Sequence, residues 1–496
     1  RAHRTIDTGI RMAGALPTVL PWLLRNADDV LLAELMANLM TSQQRLRWNH
    51  REGNWLTMEM NGLFASTFYL PFARETEELR DYALGMQLAG LKQQVLADGM
   101  QFELSPGYHF CCVGNVTRMA NLGERAEIVH ESLTKLRSIV DKMVHSASLL
   151  TMSTGSTPAP QDSPPMSLAG MKRYNPDLKA PRDSTELPNA GYAVLRHGKT
   201  SVFFDAGPYG MGHQHQDKLN VLWSVGDRMV LLEHGKQTYE DTPYRRLCLG
   251  SGAHNVLLVD GTGQWRTRES EPYPYPAVDV AWRETDADIS VTGKYSDHYG
   301  ETLRSYFLGR GGECGHRPPA PESTIEPVIH RRAVHLLKKG PFSGNLVIED
   351  LVAADDNEHL FTLLWHLNTT EYALTRNGAS AAVGEKTLNM TMSADSTVTW
   401  SGACGREGED VATYLDGAPA GWTNYLTDDP TGGKPDPCVR LECSIYGKEF
   451  YAVTLMQLVE HNGAQACLTA DTDDIRIRDA GGNECTLTRR LQKCDG

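Results

Sequence analysis

Cysteine is scarce in this sequence: its 496 residues contain 10 cysteines, and no two of them are separated by two residues. Zinc ribbons and thioredoxin-like redox sites need that spacing, so both classes are excluded. Cys111 and Cys112 are adjacent. Disulfides among the other cysteines stay open, and the count does not determine the redox compartment.

Long apolar runs are also absent. No stretch reaches the roughly 18 residues that a membrane-spanning helix requires, so we predict no membrane span. The first residue is Arg rather than Met, and we therefore expect a processed or truncated chain. The lack of a visible signal peptide then says nothing about secretion.

Positive charge is in deficit, with 48 Lys and Arg against 62 Asp and Glu and a formal charge of -14. This balance argues against a nucleic-acid binder, which usually carries a basic face. It does not exclude an acidic substrate, because a local basic cleft can act within an acidic protein. The remaining composition, 41% hydrophobic and 22% charged, is typical of a soluble globular protein.

Helical periodicity dominates the first 150 residues. In the stretch 28–48, apolar residues recur at helical spacing, namely Leu31, Leu32, Leu35, Met36, Leu39 and Met40. Similar patterns follow in 74–99 and 124–150. We therefore predict a helical domain over 1–150, built from antiparallel helix pairs arranged as a layer or ring.

The composition changes after residue 150. The stretch 152–170 is rich in Ser, Pro and Gly, which is typical of a linker or surface crossing, and we assign 151–190 to it. From 191 to 496, short strands with turn signals and no intervening helices predict antiparallel sheets packed as a sandwich. The predicted fold class is thus an α+β multidomain protein.

Two histidines stand one residue apart in "GPYGMGHQHQDKLN", residues 207–220. If this stretch is a strand, His213 and His215 point to the same side. His215 could then bind a metal with Glu233 and His254, a set suited to zinc, or these residues could simply satisfy the polar edge of a sheet. A cupin is excluded, because it expects Glu three or four residues after the second His, where Lys218 and Leu219 stand.

Two polar clusters in the helical half could meet a ligand. Asn54 follows Gly53 at the start of a helical pattern; its amide can donate to a carboxylate, or it can serve as a helix cap. Trp55 offers a flat face for a sugar ring, or it belongs to the core. Tyr108 follows "SPG", which predicts an irregular loop where its phenol could meet a ligand or stay packed.

Together these stretches resemble a known family. The motifs are "REGNWLTMEMNGL", "ELSPGYH", "GHQHQDKLN", "LLEHGKQTYEDTPYRR" and "AHNVLLVDG", which run in order from near the N-terminus to about residue 260. They resemble the heparinase II/III-type polysaccharide lyases, closest to the heparinase III branch and related to alginate and oligoalginate lyases. The resemblance implies an incomplete (α/α) toroid followed by antiparallel β-sheets.

The resemblance also implies roles in β-elimination. Asn54 matches the family's Asn that neutralises the uronate carboxylate, and His213 the histidine that helps it. Tyr108 matches the tyrosine that moves protons. Family members carry a second tyrosine in a later region, where Tyr239 and Tyr244 are the two candidates. We expect the amide and phenol of the helical half to meet His213 across a shared groove.

Further residues are implied as ligands. Substrate contacts are expected from Trp55, His109, Arg245 and Arg246, since Arg suits carboxylate or sulfate; a solvated charge pair is the alternative for the two arginines. The family's structural metal site corresponds to His215, Glu233 and His254. Glu233 replaces the usual Asp, which leaves the metal open between zinc, the expected ion, and calcium.

The resulting functional prediction is a polysaccharide lyase acting on heparan sulfate or heparosan-like chains in the periplasm or outside the cell. An acidic polysaccharide is the expected partner, without nucleic acid, and the oligomeric state stays open. The alternatives are an alginate or oligoalginate lyase, a glycan-binding protein without turnover, and a metal-dependent oxygenase or hydrolase that uses the His pair.

Overall fold

The computed structural model describes residues 4–236, 239, 243–264, 280–300, 324–325, 328–405, 421–423, 435–460 and 463–492. It forms two compact units. The first comprises residues 1–103, 107–147 and 171–178, and the second 104–106, 148–170 and 179–496. The predicted boundaries at residues 150 and 190 stay a prediction.

Helices dominate the first unit, as the periodicity predicts. The α-helices are α1 (Thr5–Ile10), α2 (Leu16–Asn26), α3 (Asp29–Asn49), α4 (Asn54–Ser66), α5 (Thr76–Gln94), α6 (Pro106–Arg125), α7 (Glu131–Leu149), α8 (Leu168–Met171) and α9 (Pro243–Leu249). Helix α9 lies in the second unit, so the expectation that no helix interrupts the strands of 191–496 was wrong. A π-helical turn over Arg11–Ala15 joins α1 to α2. Within the described residues, no helix combines the length and apolar character that crossing a membrane requires.

Helix α4 lies at the centre of the helical packing, and 12 of its 13 residues are buried. A Cβ on Gly62 would lie 2.5 Å from the Cα of Gly9, so only two glycines allow α1 and α4 to approach this closely. Gly53 precedes α4 with φ +67°. This left-handed conformation favours glycine and sets the direction in which the helix starts.

Strands make up most of the second unit. They are β1 (Thr185–Leu187), β2 (Tyr192–His197), β3 (Thr200–Asp205), β4 (Val221–Val225), β5 (Arg228–Leu231), β6 (Leu257–Val259), β7 (Gly263–Gln264), β8 (Ala281–Glu284), β9 (Asp288–Tyr295), β10 (Tyr299–Gly300), β11 (Thr324–Ile325), β12 (Ile329–Leu337), β13 (Leu346–Ala353), β14 (His359–Leu367), β15 (Tyr372–Thr375), β16 (Gly378–Val383), β17 (Lys386–Ala394), β18 (Val398–Cys404), β19 (Trp422–Thr423), β20 (Asp436–Pro437), β21 (Val439–Gly447), β22 (Glu449–Glu460), β23 (Cys467–Ala470), β24 (Asp474–Arg478) and β25 (Glu484–Thr488).

Two large antiparallel sheets form the sandwich. One has the order β1-β2-β3-β4-β5-β14-β21-β18, with β6 also paired to β14, and the other the order β15-β16-β17-β22-β13-β12-β9-β8. Both sheets contribute to one apolar core, which includes Phe204 and Trp365 from the first and Ile348 and Phe450 from the second. The predicted order of helices followed by an antiparallel sandwich is therefore confirmed.

The second sheet is covered on both faces. Its residues facing away from the sandwich core pack with the small sheet β23-β24-β25 in a separate apolar cluster. Successive side chains of a strand point to opposite faces of the sheet. On β13, Ile348 therefore belongs to the sandwich core, while its neighbour Val347 belongs to the outer cluster.

A buried arginine ties the loops of the first sheet to the second. Arg332 on β12 is fully buried and pairs with Asp350 on β13, with Nε 2.7 Å from Oδ1. Its Nη1 donates to the carbonyl oxygens of Leu219 at 2.9 Å and Asn255 at 2.6 Å. The arginine therefore fixes the segments that follow His215 and His254.

Candidate active site and metal centre

Asn54, the first residue of α4, is held by a carboxylate in the helical unit. Its Nδ2 lies 2.8 Å from both Oε1 and Oε2 of Glu103, and its backbone N–H donates to Oε1 at 3.2 Å. Both residues are buried. Both oxygens of the Glu103 carboxylate lie on the same side of Nδ2, so a single N–H of the amide can point at both. The second N–H of Nδ2 then remains for another acceptor.

Tyr108 does not lie on the predicted irregular loop; that prediction was wrong. It is the third residue of α6, which begins at Pro106. Proline is favoured at the first helical position, where its missing N–H has no helical partner, so "SPG" here starts a helix rather than a loop. The phenol is half-buried and lies near the positive end of the helix dipole.

The other expected ligand residues of this unit are less exposed than a binding role suggests. His109 is fully buried: its Nδ1 accepts from the N–H of Gln101 at 3.2 Å, and its Nε2 lies 3.0 Å from the carbonyl of Met143. Burial lowers the pKa of His109 to about 4, so the ring is neutral and structural. Trp55 is half-buried, with the Arg4 guanidinium 5.8 Å from its ring centre.

The two histidines lie in the loop between β3 and β4, so the strand prediction for 207–220 was wrong. His213 has φ +54°, a conformation that no strand residue adopts. The two rings nevertheless meet at one carboxylate: Nδ1 of His213 lies 3.1 Å from Oδ2 of Asp162, and Nε2 of His215 lies 3.0 Å from Oδ1.

Asp162 is buried and ionised at the centre of this cluster. Burial by itself would raise the pKa of its carboxyl, but hydrogen bonds from His213 and His215 and the charge of Arg245 hold that pKa well below its usual value. The guanidinium of Arg245 pairs with the same carboxylate and also donates to the carbonyl of Lys236 at 3.1 Å. Arg245 is therefore a buried residue whose guanidinium is paired within the protein.

The two tyrosine candidates occupy different environments. Tyr239 is 54% exposed, and its hydroxyl lies 3.4 Å from Nδ1 of His213. The Lys236 ammonium and the Arg245 guanidinium lie 4.7 and 5.2 Å from its ring centre. Tyr244 is 2% exposed and packs in an apolar cluster, and burial raises the pKa of its phenol well above the usual value.

The three predicted metal ligands come together in the sheet unit. One ligand atom each from His215, Glu233 and His254 lies within 4.8 Å of the other two, and all three residues are fully buried. They come from the β3–β4 loop, the segment after β5 and the segment after a 3-10 turn. Nδ1 of His254 lies 2.8 Å from Oε1 of Glu233 without the alignment of a hydrogen bond.

The donor set fits a divalent cation. Nε2 of His215 is engaged by Asp162, and Nε2 of His254 lies 3.2 Å from the carbonyl of Cys248. Each interaction places the proton on Nε2 and leaves Nδ1 as a lone-pair donor, and both Nδ1 atoms are buried without a hydrogen-bond partner. Asn220 holds Oε2 of Glu233 at 2.8 Å. Metal-binding histidines are usually oriented in this way.

Sequence reasoning missed two carboxylates. Asp162 lies in the Ser- and Pro-rich stretch predicted as a surface crossing, and nothing in that composition marks a buried acid. Glu103 stands in the quoted motif "ELSPGYH", five residues before Tyr108. Its place in that motif, shortly before α6 begins at Pro106, is the signal that could have marked it.

Two family models match the chain. The heparinase II/III N-terminus model matches residues 1–182, and the heparinase II/III-like C-terminal model matches residues 179–309. The chain belongs to the heparinase II/III family. This family consists of polysaccharide lyases, so the predicted enzyme class is confirmed. The heparinase II/III resemblance covers both the Asn54 cluster and the histidine loop.

Solved structures give the same fold. A heparinase III crystal structure matches with a TM-score of 0.74 and 15% identity, over 98% of this chain and 75% of that chain. Heparan sulfate lyase HepC from Pedobacter heparinus matches with a TM-score of 0.67 and 15% identity, over 99% and 75%. Among curated proteins, none matches the chain.

Proposed function

We propose that the protein cleaves a uronate-containing acidic glycan, of heparan sulfate or heparosan type, by β-elimination. A base removes the C-5 proton of the uronate, the electron pair forms the C-4=C-5 double bond, and the C-4–O bond breaks, so that the leaving oxygen takes a proton. Membership of the heparinase II/III family carries this proposal.

Asn54 is proposed to neutralise the uronate carboxylate. A proton beside a carboxylate is very weakly acidic, so stabilising the charge that grows in the transition state is the main requirement. The second N–H of Nδ2 would donate to the substrate while Glu103 fixes the orientation of the amide. A donor held in advance costs little reorganisation when the charge develops.

Tyr108 and His213 are proposed to move protons and to support the same carboxylate. The start of α6 favours an anion at Tyr108 by about 0.3–1 kcal/mol, which helps a phenol to act as base. His213 is oriented through Nδ1 by Asp162, and Nε2 is the nitrogen assigned to the uronate. Which group takes the proton would depend on whether the uronate is glucuronate or iduronate.

Tyr239 is the better candidate for the second tyrosine. It lies beside His213 and under two cationic groups, which stabilise a phenolate, whereas Tyr244 is enclosed by apolar residues. Arg246 is half-buried on α9, and with Trp55 it is the proposed contact for the acidic sugar. Arg245 would act indirectly, through Asp162.

The metal proposed for His215, Glu233 and His254 is zinc, because two imidazoles and one carboxylate are typical zinc ligands; calcium prefers oxygen ligands. A bound ion would hold three separate segments of the sheet unit together. Its proposed role is structural. A periplasmic or extracellular location is proposed from the family resemblance.

The proposal is tested with a panel of heparan sulfate, heparosan, hyaluronan and alginate. Ultraviolet absorbance of the unsaturated uronate reports elimination in each. We expect product from heparan sulfate or heparosan. Product from alginate alone would show that the substrate is alginate rather than heparan sulfate or heparosan. Binding of a polymer with no product from any of the four would contradict lyase activity.

A further inference from the structure

The helical unit contains a cavity of about 420 Å³ that is suited to an acidic ligand. That size falls within the range of small-molecule sites, about 300–1,000 Å³. One wall is a single face of α6, because its lining residues recur at helical spacing: Gly114, Thr117, Arg118, Asn121, Leu122 and Arg125. The other walls come from the α1–α2 junction, α4 and the segment that follows α4.

The charge of this cavity differs from that of the whole protein. Its lining includes Arg118 and Arg125 but no Asp or Glu, although the chain carries a formal charge of -14. Within the described part of the chain, neither arginine has a hydrogen bond or an ion pair. Seven residues of helix separate them by about 10 Å, and both are exposed.

Two residues that line the cavity also carry polar atoms without hydrogen-bond partners. Asn61 is 1% exposed; its Nδ2 donates to Asn115 at 3.2 Å, but its Oδ1 accepts no hydrogen bond. The hydroxyl of Thr117 is likewise buried without a partner. An unpaired buried acceptor is costly, so Oδ1 of Asn61 calls for a ligand that donates.

The remaining wall is apolar and uncharged. Phe68 and Tyr69 line it, and Tyr69 donates its hydroxyl to the carbonyl of Met12 at 2.7 Å. Burial raises the pKa of Tyr69 to about 12, so no phenolate opposes an anion. Aromatic faces beside polar groups are suited to the apolar side of a sugar ring.

We propose that this cavity binds a sulfated or carboxylated saccharide unit, whose acidic groups pair with Arg118 and Arg125 and whose hydroxyl donates to Asn61. Arginine forks match carboxylate and sulfate oxygens. Inorganic sulfate alone would leave Oδ1 of Asn61 unpaired, since it has no hydroxyl to donate. The choice of saccharide rests on the proposed function; the choice of an anion does not.

The test is arginine footprinting with phenylglyoxal, read residue by residue by peptide mass spectrometry. The probes are a sulfated unsaturated disaccharide, which the enzyme cannot cut further, and inorganic sulfate. We expect the disaccharide to slow modification of Arg118 and Arg125 at least five-fold, while the exposed Arg74, outside the cavity, reacts unchanged. If the disaccharide slowed the modification of Arg118 and Arg125 no more than that of Arg74, the proposal would be overturned.

Variants separate a shared site from independent arginines. In Arg118→Gln we expect the disaccharide to lose most of its protection of Arg125, whereas Lys135→Gln, an exposed charge change on α7, should keep it. Protection of Arg125 that persists in Arg118→Gln would overturn the shared site. Protection by inorganic sulfate as strong as by the disaccharide would overturn the saccharide assignment.

The footprinting result does not depend on whether the enzyme cleaves a polysaccharide. Protection without any lyase product would contradict the proposed function and leave the cavity as an anion site. Lyase product without protection of Arg118 and Arg125 would contradict saccharide binding in the cavity and would leave the proposed function unaffected.

Discussion

At the residue scale, two carboxylates that do not touch the proposed substrate determine how the proposed catalytic groups are held. Glu103 orients Asn54, and Asp162 orients His213 and His215. Each is buried. In both clusters the group assigned to chemistry depends on a buried acid that is not itself assigned to the chemistry.

Replacing Glu103 by Gln tests this dependence. A hydrogen bond to a charged group contributes about 1.5–3 kcal/mol, so we expect kcat/KM to fall about 10- to 150-fold. The double variant with Asn54→Ala should be no slower than Asn54→Ala alone, because the two residues act as a unit. Additive losses would show that Glu103 does not act through Asn54.

Tyr108→Phe removes only the hydroxyl. Because general acid–base catalysis contributes about 100- to 10,000-fold, we expect turnover to drop by that factor while the thermal unfolding midpoint stays the same. Tyr244→Phe is the matched control, since Tyr244 lies in an apolar cluster. A Tyr108→Phe enzyme with full turnover would remove this phenol from the mechanism.

At the scale of secondary-structure elements, regular periodicity was predictable and irregular segments were not. The helices up to residue 150 and the hairpin β2–β3 follow the apolar spacing and turn residues. The strand prediction for 207–220 failed because the alternating polar residues form hydrogen bonds within a loop. In that loop His213 has a left-handed backbone conformation. Tyr108 was misplaced because proline starts helices as well as loops.

The proposed metal ligands lie on three such irregular segments, so loss of a bound metal should lower stability. We expect His254→Ala to lower both the metal content and the unfolding temperature. His234→Ala is the control: His234 is a buried neighbour outside the ligand set, and its variant should keep the metal. Full metal content in His254→Ala would contradict the triad.

A buried histidine bridges β9 and β13 and should make stability depend on pH. Nδ1 of His335 lies 2.8 Å from Oδ2 of Asp288, and Nε2 lies 2.8 Å from Oε1 of Glu349. Burial lowers the pKa of His335, but the two carboxylates outweigh it and the pKa ends above its usual 6.5. Burial would raise the carboxyl pKa values, yet His335 brings that of Asp288 to about 2 and lowers that of Glu349.

The signs follow from linkage. The histidine contribution is complete below pH 6.5 and is lost as pH rises through its raised pKa; the carboxylate contributions are complete above their usual values of 3.8 and 4.5 and are lost in acid. Buried histidines with a lowered pKa, such as His109, act in the opposite direction, so the contribution of His335 must be measured as the difference between the wild type and a His335 variant in urea unfolding at pH 5.5 and pH 9. His335→Gln should lower the free energy of unfolding by about 3–5 kcal/mol at pH 5.5 and by less at pH 9; an equal loss at both pH values would exclude a protonated His335 as its source.

At the scale of the whole molecule, the family and the order of helical and β regions could be predicted from five short motifs and the change of periodicity. The clustering of His215, Glu233 and His254 could be predicted as well, because the resemblance supplies residues that lie far apart in sequence. Asp162 could not be, since its partners come from segments more than 50 residues away and only the tertiary fold brings them together.

The mass of the products tests the central claim most directly. Elimination splits a heparan sulfate oligosaccharide of known mass into two fragments whose masses add up to that of the substrate, whereas hydrolysis adds one water. We predict fragment masses that sum to the substrate, with the double bond on the fragment that carries the new non-reducing uronate. Fragments that together contain an added water, or an intact oligosaccharide after prolonged incubation, would contradict the account.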